Sequence, residues 1–551
     1  MKHFLLLFCL FVLITTAFGQ SFESSNLPIL ILKTNGQAIP DNDKITMDMR
    51  IIDNGLGKTN KLTDPANNYN GKIGIELHGS SSQSLSPKKP FAFETRDAKG
   101  ASLDVSLMGL AAENDWVLLA PYADKTLIRD PFTYDIARLA STKYWTPKYR
   151  FCELFLDDKY EGVYILIEKI KRGKNRVDIS SLKVTDESGD ALTGGYILKN
   201  DKFTGNPSTF FVSNVPSLAS QSGTKDILYQ IDYPKLADIT KNQAKYIEDY
   251  IGAFENTLRG STFRDPVNGY QKFINLDSFV DYVLVTELSG NLDGYRSSTY
   301  FYKNKESKGG KITMGPLWDY NLAYGNGDFC DAWKPTGFQF QQYKVANCTT
   351  PIPFWWERLL QDSTFARVAV TRWKTLRKTA WDTDKLIALI DSSAGSIVQA
   401  QIRNFNRWNI LGIKVWPNYY VGKNYSDEIV QLKTYIRNRT AWLDAEFTKY
   451  YELTTAITPE ALAETALLRV NPNPIIDRAI AECYVPKAGL VSLEILSQNA
   501  QLIQTVFEGN RQKGVHFFEV NLPKQSTGFY FLKYTLDGQL MTTKKMLIVK
   551  E

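Results

Sequence analysis

Histidine is nearly missing from this sequence: His3, His78 and His516 are the three in 551 residues. A His-rich zinc centre or an H-E-x-x-H helix therefore cannot be assembled, so acid–base work falls mostly to carboxylates and any bound metal is expected to be a hard ion held by oxygen. Cysteine is scarce too. The five cysteines contain no C-x-x-C pair, which removes zinc ribbons and dithiol redox motifs. Beyond the first twenty residues no run reaches the roughly 18 apolar positions that a membrane-spanning helix needs. The net charge of +6 is dispersed without a basic stripe, so nucleic acid is not an implied partner. With 43% hydrophobic and 13% aromatic residues, the chain has ample material for large cores and lacks the composition of disorder.

Residues 1–19 have Lys2, an apolar run from Phe4 to Thr15, and small residues Ala17 and Gly19 ahead of a cut before Gln20. That is the pattern of a secretory leader. In the oxidising compartment it implies, Cys330 and Cys348, which bracket a polar aromatic loop, are expected to form a disulfide contributing on the order of 3 kcal/mol. Cys152, inside an apolar run, reads as a buried thiol. Between residues 20 and 455 strand signals come first (PILILK, KIGIELHG, RFCELFLDD, EGVYILIEKI) and helix signals follow, which predicts an α+β architecture of two lobes with a cleft between them. A linker over 456–468 precedes residues 469–551, where short alternating runs separated by Gly, Pro and Asn turns predict a small all-β sandwich of about seven strands.

One segment imitates a phosphate loop. In IDNGLGKT (52–59), Ile52 stands where a P-loop needs glycine and no helix pattern follows, so it reads as a Gly-rich turn. The eukaryotic kinase signatures G-x-G-x-x-G, H-R-D and D-F-G are absent as well, and Asp328-Phe329-Cys330 only mimics the last.

Four groups suited to moving a phosphoryl group nevertheless occur in order. A strand ends at His78-Gly79 in a hydroxyl-rich turn with Ser81 and Ser82, and Lys88 and Lys89 open the next strand, where such a turn and a lysine could hold phosphate oxygens. Asp124, Lys125 and Arg129 stand at a helix start, with Asp124 placed to cap it. Alternation puts Tyr164, Leu166 and Glu168 on one strand face, so Glu168 is expected to be partly buried with Lys88 or Lys89 as partner. Finally, a tight loop holds Asn291, Asp293 and Arg296, and a second strand ends at Leu317-Trp318 with Asp319 and Asn321 beyond it. Two acids at element tips on one hairpin are placed to converge on a metal–nucleotide site.

Together these segments resemble the CotH kinase family, named for spore coat protein H. The specific pieces are GSSS with PKK (79–89), YADKTLIR (122–129), EGVYILIEKI (161–170), GGYILK (194–199), ELSGNLDGYR (287–296) and GPLWDYNLAYGN (315–326). The resemblance implies an ATP-binding, protein-kinase-like domain that phosphorylates protein Ser/Thr with Mg²⁺. By motif position Asp293 would be the catalytic Asp, Lys89 or Lys88 would contact phosphates with Ser81 and Ser82, and Glu168, Trp318 and Asn291 would lie by the nucleotide. Asp319 and Asn321 would face the metal. His78 stands where the family often has Arg, Ser297 and Ser298 where it often has Asn, and Asn321 where Asp is frequent. The C-terminal segment resembles the type A sorting domain of the type IX secretion system, through NPNP (Asn471 to Pro474), Gly489 to Ile495, Gly528/Tyr530/Tyr534 and Lys544 to Lys550. That implies the type IX machinery as partner and passage through the periplasm to the cell surface or medium. Two rival readings remain: a kinase-like cleft turned to structural or carbohydrate binding, with Trp333, Trp355, Trp356, Trp373, Trp408 and Trp416 as stacking surfaces, and a phosphoester hydrolase using the same acids.

Overall fold

The computed structural model describes residues 22–140, 144–202, 209–219, 223–346, 348–349, 351–455, 467–471, 473–475, 478–521 and 527–549. The expected leader and most of the expected linker lie outside them.

The strand-rich first part closes on itself. Strands β1 (Ile29–Lys33), β2 (Ile45–Ile52), β3 (Tyr69–Leu77), β4 (Phe91–Arg96), β5 (Asp115–Leu119), β6 (Tyr149–Leu156) and β7 (Lys159–Glu168) form a barrel in the order β1-β2-β3-β4-β5-β7-β6. Closure comes from β1 lying parallel to β6, with Leu30 opposite Leu154. Every second residue points inward, so Leu30, Met49, Ile75, Phe93, Leu118, Leu154 and Leu166 share one apolar interior. Cys152 is buried there and its thiol is pushed up to about 12 by burial. The β6–β7 hairpin turns through Asp157 and Asp158, both with positive φ, the backbone that tight two-residue hairpins require. The glycine-rich segment 53–59 is an exposed connection between β2 and β3, and no helix follows it. Two helices interrupt the barrel strands, α1 (Ser81–Leu85) and α2 (Arg129–Ala140). Asp124 caps α2's entry by accepting from Thr126 N at 3.0 Å and Arg129 N at 2.9 Å.

After a short α3 (Gly189–Leu192), strands β8 (Tyr196–Asn200), β9 (Thr209–Val212), β10 (Leu228–Tyr233), β11 (Thr299–Lys303) and β12 (Ile312–Met314) build a second sheet, ordered β12-β11-β8-β10-β9. Helices α4 (Lys241–Arg259), α5 (Leu276–Ser289), α6 (Trp355–Leu360), α7 (Ser363–Arg377), α8 (Thr383–Ser396), α9 (Ala400–Arg407) and α10 (Tyr425–Thr455) supply the rest. The outer residues Ile165 and Ile167 of β7, α2, the second sheet and these helices share a single core. Trp355, Trp356 and Trp373 are buried in it, which removes them as ligand-stacking surfaces. Helix α5 stops at Gly290 in the left-handed region (φ +56), where a Cβ would lie 2.1 Å from the Tyr435 hydroxyl. Only glycine lets the chain turn there against α10.

Residues 468–548 form β13 (Leu468–Asn471), β14 (Arg478–Val485), β15 (Gly489–Leu496), β16 (Leu502–Arg511), β17 (Gly514–Asn521), β18 (Gly528–Leu536) and β19 (Gln539–Ile548). Their sheets, β13-β14-β17 and β16-β15-β18-β19, contribute alternate residues such as Ala481, Leu493, Phe518, Leu532 and Met546 to one apolar cluster.

Candidate functional site

Three loops meet at the carboxyl end of α5 and the start of α2. The turn after Gly290 holds Asn291 and Asp293, with Asp293 N donating to Asn291 Oδ1 at 3.4 Å. Asn291 Nδ2 in turn donates to the Asp319 carbonyl at 3.4 Å, which ties this turn to the segment after β12. Asp319 itself has φ +61, so the chain swings sharply at the acid. The next amide, Tyr320 N, donates to Asp130 Oδ1 of α2 at 2.6 Å. After β8, Asp201 accepts from Ser297 Oγ at 2.8 Å. The hairpin pair foreseen in the sequence, Asp293 and Asp319, is thus joined by Asp130 and Asp201.

These carboxylates bear on one another's ionisation. Asp319 is driven well above the usual carboxylate range by burial, then by the charges of Asp130, Asp293 and Asp201, with Lys202 opposing. Burial also raises Asp293, against the pull of Arg296 and Lys202. Asp130 reaches about 7 through burial and the repulsion of Asp124, although its bond from Tyr320 favours the anion. Negative charge is in excess here.

Positive charge gathers beside it. His78 meets Trp318 edge-on with ring centroids 6.3 Å apart, and it is pushed down to about 4 by burial and by Lys169 and Lys199. Lys169, just past β7, is lowered by burial and supported by Asp115. Lys199 on β8 stands 4.0 Å from Asp232. Trp318 therefore touches the neutral His78 that the two lysines flank and is the residue immediately before Asp319 at the acidic side. Tyr300 bridges the same ground, since Asp232, Asp201 and Asp319 all act on its hydroxyl.

Other residues singled out from sequence sit elsewhere. Lys88 is 1% exposed, and its ammonium donates to Val163 O at 2.6 Å and Asn404 Oδ1 at 2.9 Å while lying 4.9 Å from the Tyr164 ring. Burial lowers it to about 7. It bonds β7 to α9, and the charges that bear on it are those of Cys152, Glu161 and Asp124. Lys89 donates to the Gln83 carbonyl, closing the turn that holds Ser81 and Ser82, which lie in the five-residue α1. Glu168 is buried as expected, but its partner is Arg176 at 2.9 Å with Lys148 N at 2.9 Å, not Lys88 or Lys89. The half-buried Asn321 gives its carbonyl to Asn326 Nδ2 at 2.8 Å. The expected Cys330–Cys348 disulfide is formed. Lys169, Lys199, Asp130 and Asp201 were not singled out; Lys169 stands in the EKI motif, and Asp130 directly follows the TLIR motif.

Among the described residues no three His, Cys, Asp or Glu side chains converge as a preformed metal site. Mg²⁺ does not require one, because it keeps waters and phosphate oxygens and takes one or two carboxylates. Asp319, crowded by other acids, is a hard oxygen donor in a field that a divalent cation would neutralise, so the residues fit that ion. A cavity of about 540 Å³ lined by Asp277, Asn275, Lys308 and Lys311 lies at the opposite end of α5 from Asp293.

Residues 75–443, more than half of the chain, match the family model described as CotH kinase protein. A solved structure of Pseudomonas fluorescens alkylpurine DNA glycosylase AlkC bound to DNA containing an abasic site analog is 10% identical over 35% of this chain and 72% of its own, with a TM-score of 0.12, too low to bear on fold or function. No curated protein matches.

Proposed function

The chain belongs to the CotH kinase protein family, and from that premise we propose that it is an exported, Mg²⁺-dependent atypical protein kinase that moves the γ-phosphoryl group of ATP to a Ser or Thr hydroxyl. The supporting observation is the acid set Asp293, Asp319, Asp130 and Asp201 beside Lys169, Lys199 and the neutral His78, with Trp318 between them. Phosphoryl transfer needs little covalent help from protein, but it does need charge neutralisation and alignment.

In this reading the acceptor oxygen bonds to the γ-phosphorus as the bond to the bridging oxygen breaks, ADP leaves, and the hydroxyl proton passes to Asp293. The raised pKa of Asp293 suits it to that task, since a stronger base nearer neutrality takes the proton more readily. Asp319 and Asn321 would hold Mg²⁺, which when bound supplies charge neutralisation at the β- and γ-phosphoryl oxygens. Lys169 and Lys199 face the phosphates in place of Lys88 and Lys89. Glu168, locked to Arg176, fixes the end of β7 and hence the position of Lys169. Trp318 offers an apolar wall to the nucleotide.

The leader and the C-terminal strands support export through the type IX machinery, with residues 469–551 as the sorting segment. Among the described residues no helix is long and apolar enough to cross a membrane. A carbohydrate-binding reading keeps one observation in its favour: exposed Trp416 stacks on Phe329, and exposed Tyr419 on Trp333. Thermal unfolding separates the two. Mg-ATP should raise the Tm of the wild-type protein and not that of Asp319→Ala or Lys169→Met. No shift with Mg-ATP, together with a shift on adding polysaccharide, would overturn the kinase reading.

A further inference from the structure

Arg296 is 4% exposed and sits directly on the disulfide: Nη1 lies 3.3 Å from Cys348 Sγ and 3.7 Å from Cys330 Sγ. Its Nε is 3.8 Å from Asp293 Oδ1 and is a buried atom with no hydrogen-bond partner. The backbone closes the same unit, since Arg296 N and Ser297 N both donate to the Asp293 carbonyl, at 3.1 and 2.9 Å. Leu292, one residue before Asp293, packs in a small apolar cluster with both half-cystines and Ala332. The disulfide is thus the floor of the loop that carries Asp293.

A buried guanidinium must find acceptors and counter-charge, and here it has two weak sulfur acceptors and, at ion-pair distance without a hydrogen bond, one carboxylate. The neutral disulfide leaves the carboxylate as the main counter-charge. Resting on the kinase reading, we infer that Arg296, held by the Cys330–Cys348 disulfide, is the positioning residue for Asp293, so that phosphoryl transfer requires this disulfide. Two separate thiols would need more room beneath the guanidinium than bonded sulfurs do, and a thiol beside Arg ionises readily and would draw Arg296 away from Asp293. Formation of the bond passes two electrons and, in net terms, the two thiol protons from Cys330 and Cys348 to the disulfide of a thiol-oxidising protein, which leaves as a dithiol. The site is therefore completed only where thiols are oxidised, outside a reducing cytoplasm.

The experiment compares full-length wild type, the Cys330→Ser/Cys348→Ser pair, Arg296→Gln, Arg296→Lys, and the combination of the Ser pair with Arg296→Gln. Transfer of labelled γ-phosphate from Mg-ATP to dephosphorylated casein gives kcat and KM, and Mg-ATP thermal shift is read beside them. The expected result is a kcat loss on the order of 100-fold for the Ser pair and for Arg296→Gln, the scale of a misplaced reacting group. The KM for ATP and the thermal shift should hold, Arg296→Lys should recover part of the rate, and the combination should lose no more than either alone. Arg296→Gln and Arg296→Lys keep the test if the Ser pair does not fold. Wild-type kcat in the Ser pair or in Arg296→Gln overturns the inference while leaving the kinase reading intact, and so does loss of the thermal shift in step with kcat. Wild-type protein that transfers no phosphate overturns the kinase reading, and the inference falls with it.

Discussion

Glu287 and Arg439, 152 residues apart, form a fully buried ion pair at 3.0 Å that anchors the end of α5 to α10. Arg439 Nε also donates to the Glu287 carbonyl at 2.7 Å, and Nη1 to Gly337 O at 2.7 Å. Glu287 accepts from Gln339 N at 2.9 Å and the Tyr295 hydroxyl at 3.0 Å. Four residues beyond this pair the chain enters the Asp293 turn, so the network holds the base of the candidate site.

Breaking that pair should be costly. Arg439→Met leaves Glu287 buried without its cation, and a loss of about 3–5 kcal/mol is expected in chemical denaturation. Glu287→Gln, which strands Arg439 instead, should lose a similar amount.

The acid cluster predicts an unusual pH dependence. Asp130 is raised in the folded protein to about 7, so between the unfolded carboxylate value and about 7 the folded state holds a proton that the unfolded state does not. Stability should therefore fall as pH rises through that window, by at most about 1.4 kcal/mol per pH unit from this residue. His78 acts oppositely: its folded pKa of about 4 removes stability as pH drops from 6.5 toward 4. Denaturation of wild type beside Asp130→Asn at pH 5, 6, 7 and 8 in Mg²⁺-free buffer separates the two, because the His78 effect is common to both proteins and only the wild type should lose stability through the Asp130 window.

The lysines should divide by location. Lys169→Met and Lys199→Met are expected to raise the KM for ATP at least tenfold with little change in Tm, as loss of a phosphate contact would do. Lys88→Met, which unties β7 from α9, should lower Tm and leave the KM unchanged.

For the C-terminal strands the test is localisation. A chain ending before residue 467, expressed in a host with type IX secretion, should remain in the periplasm, whereas the full chain should reach the surface or medium. Equal export of both would remove the sorting role.

Much of this was legible in the sequence because it is local. Alternation placed Tyr164, Leu166 and Glu168 on one face, Asp124 was readable as a cap, and two cysteines bracketing a polar aromatic loop behind an expected secretory leader pointed to the Cys330–Cys348 disulfide. Motif order also brought Asp293 and Asp319 together. What stayed hidden depends on long-range register. Strand β1 closes the barrel against β6, about 120 positions away, and no periodicity encodes that pairing. Nor could periodicity show that Arg176 returns to Glu168, which released Lys88 to a buried bond with Asn404. Lys169 and Lys199 become neighbours of His78 only when the end of β7 meets the second sheet.

The most direct measurement is transfer of label from γ-labelled Mg-ATP to protein by the wild-type chain beside Asp293→Ala and Asp319→Ala. Phosphoryl transfer by wild type, reduced at least 100-fold in both variants, is the predicted result. Label no higher in wild type than in the two variants would contradict it.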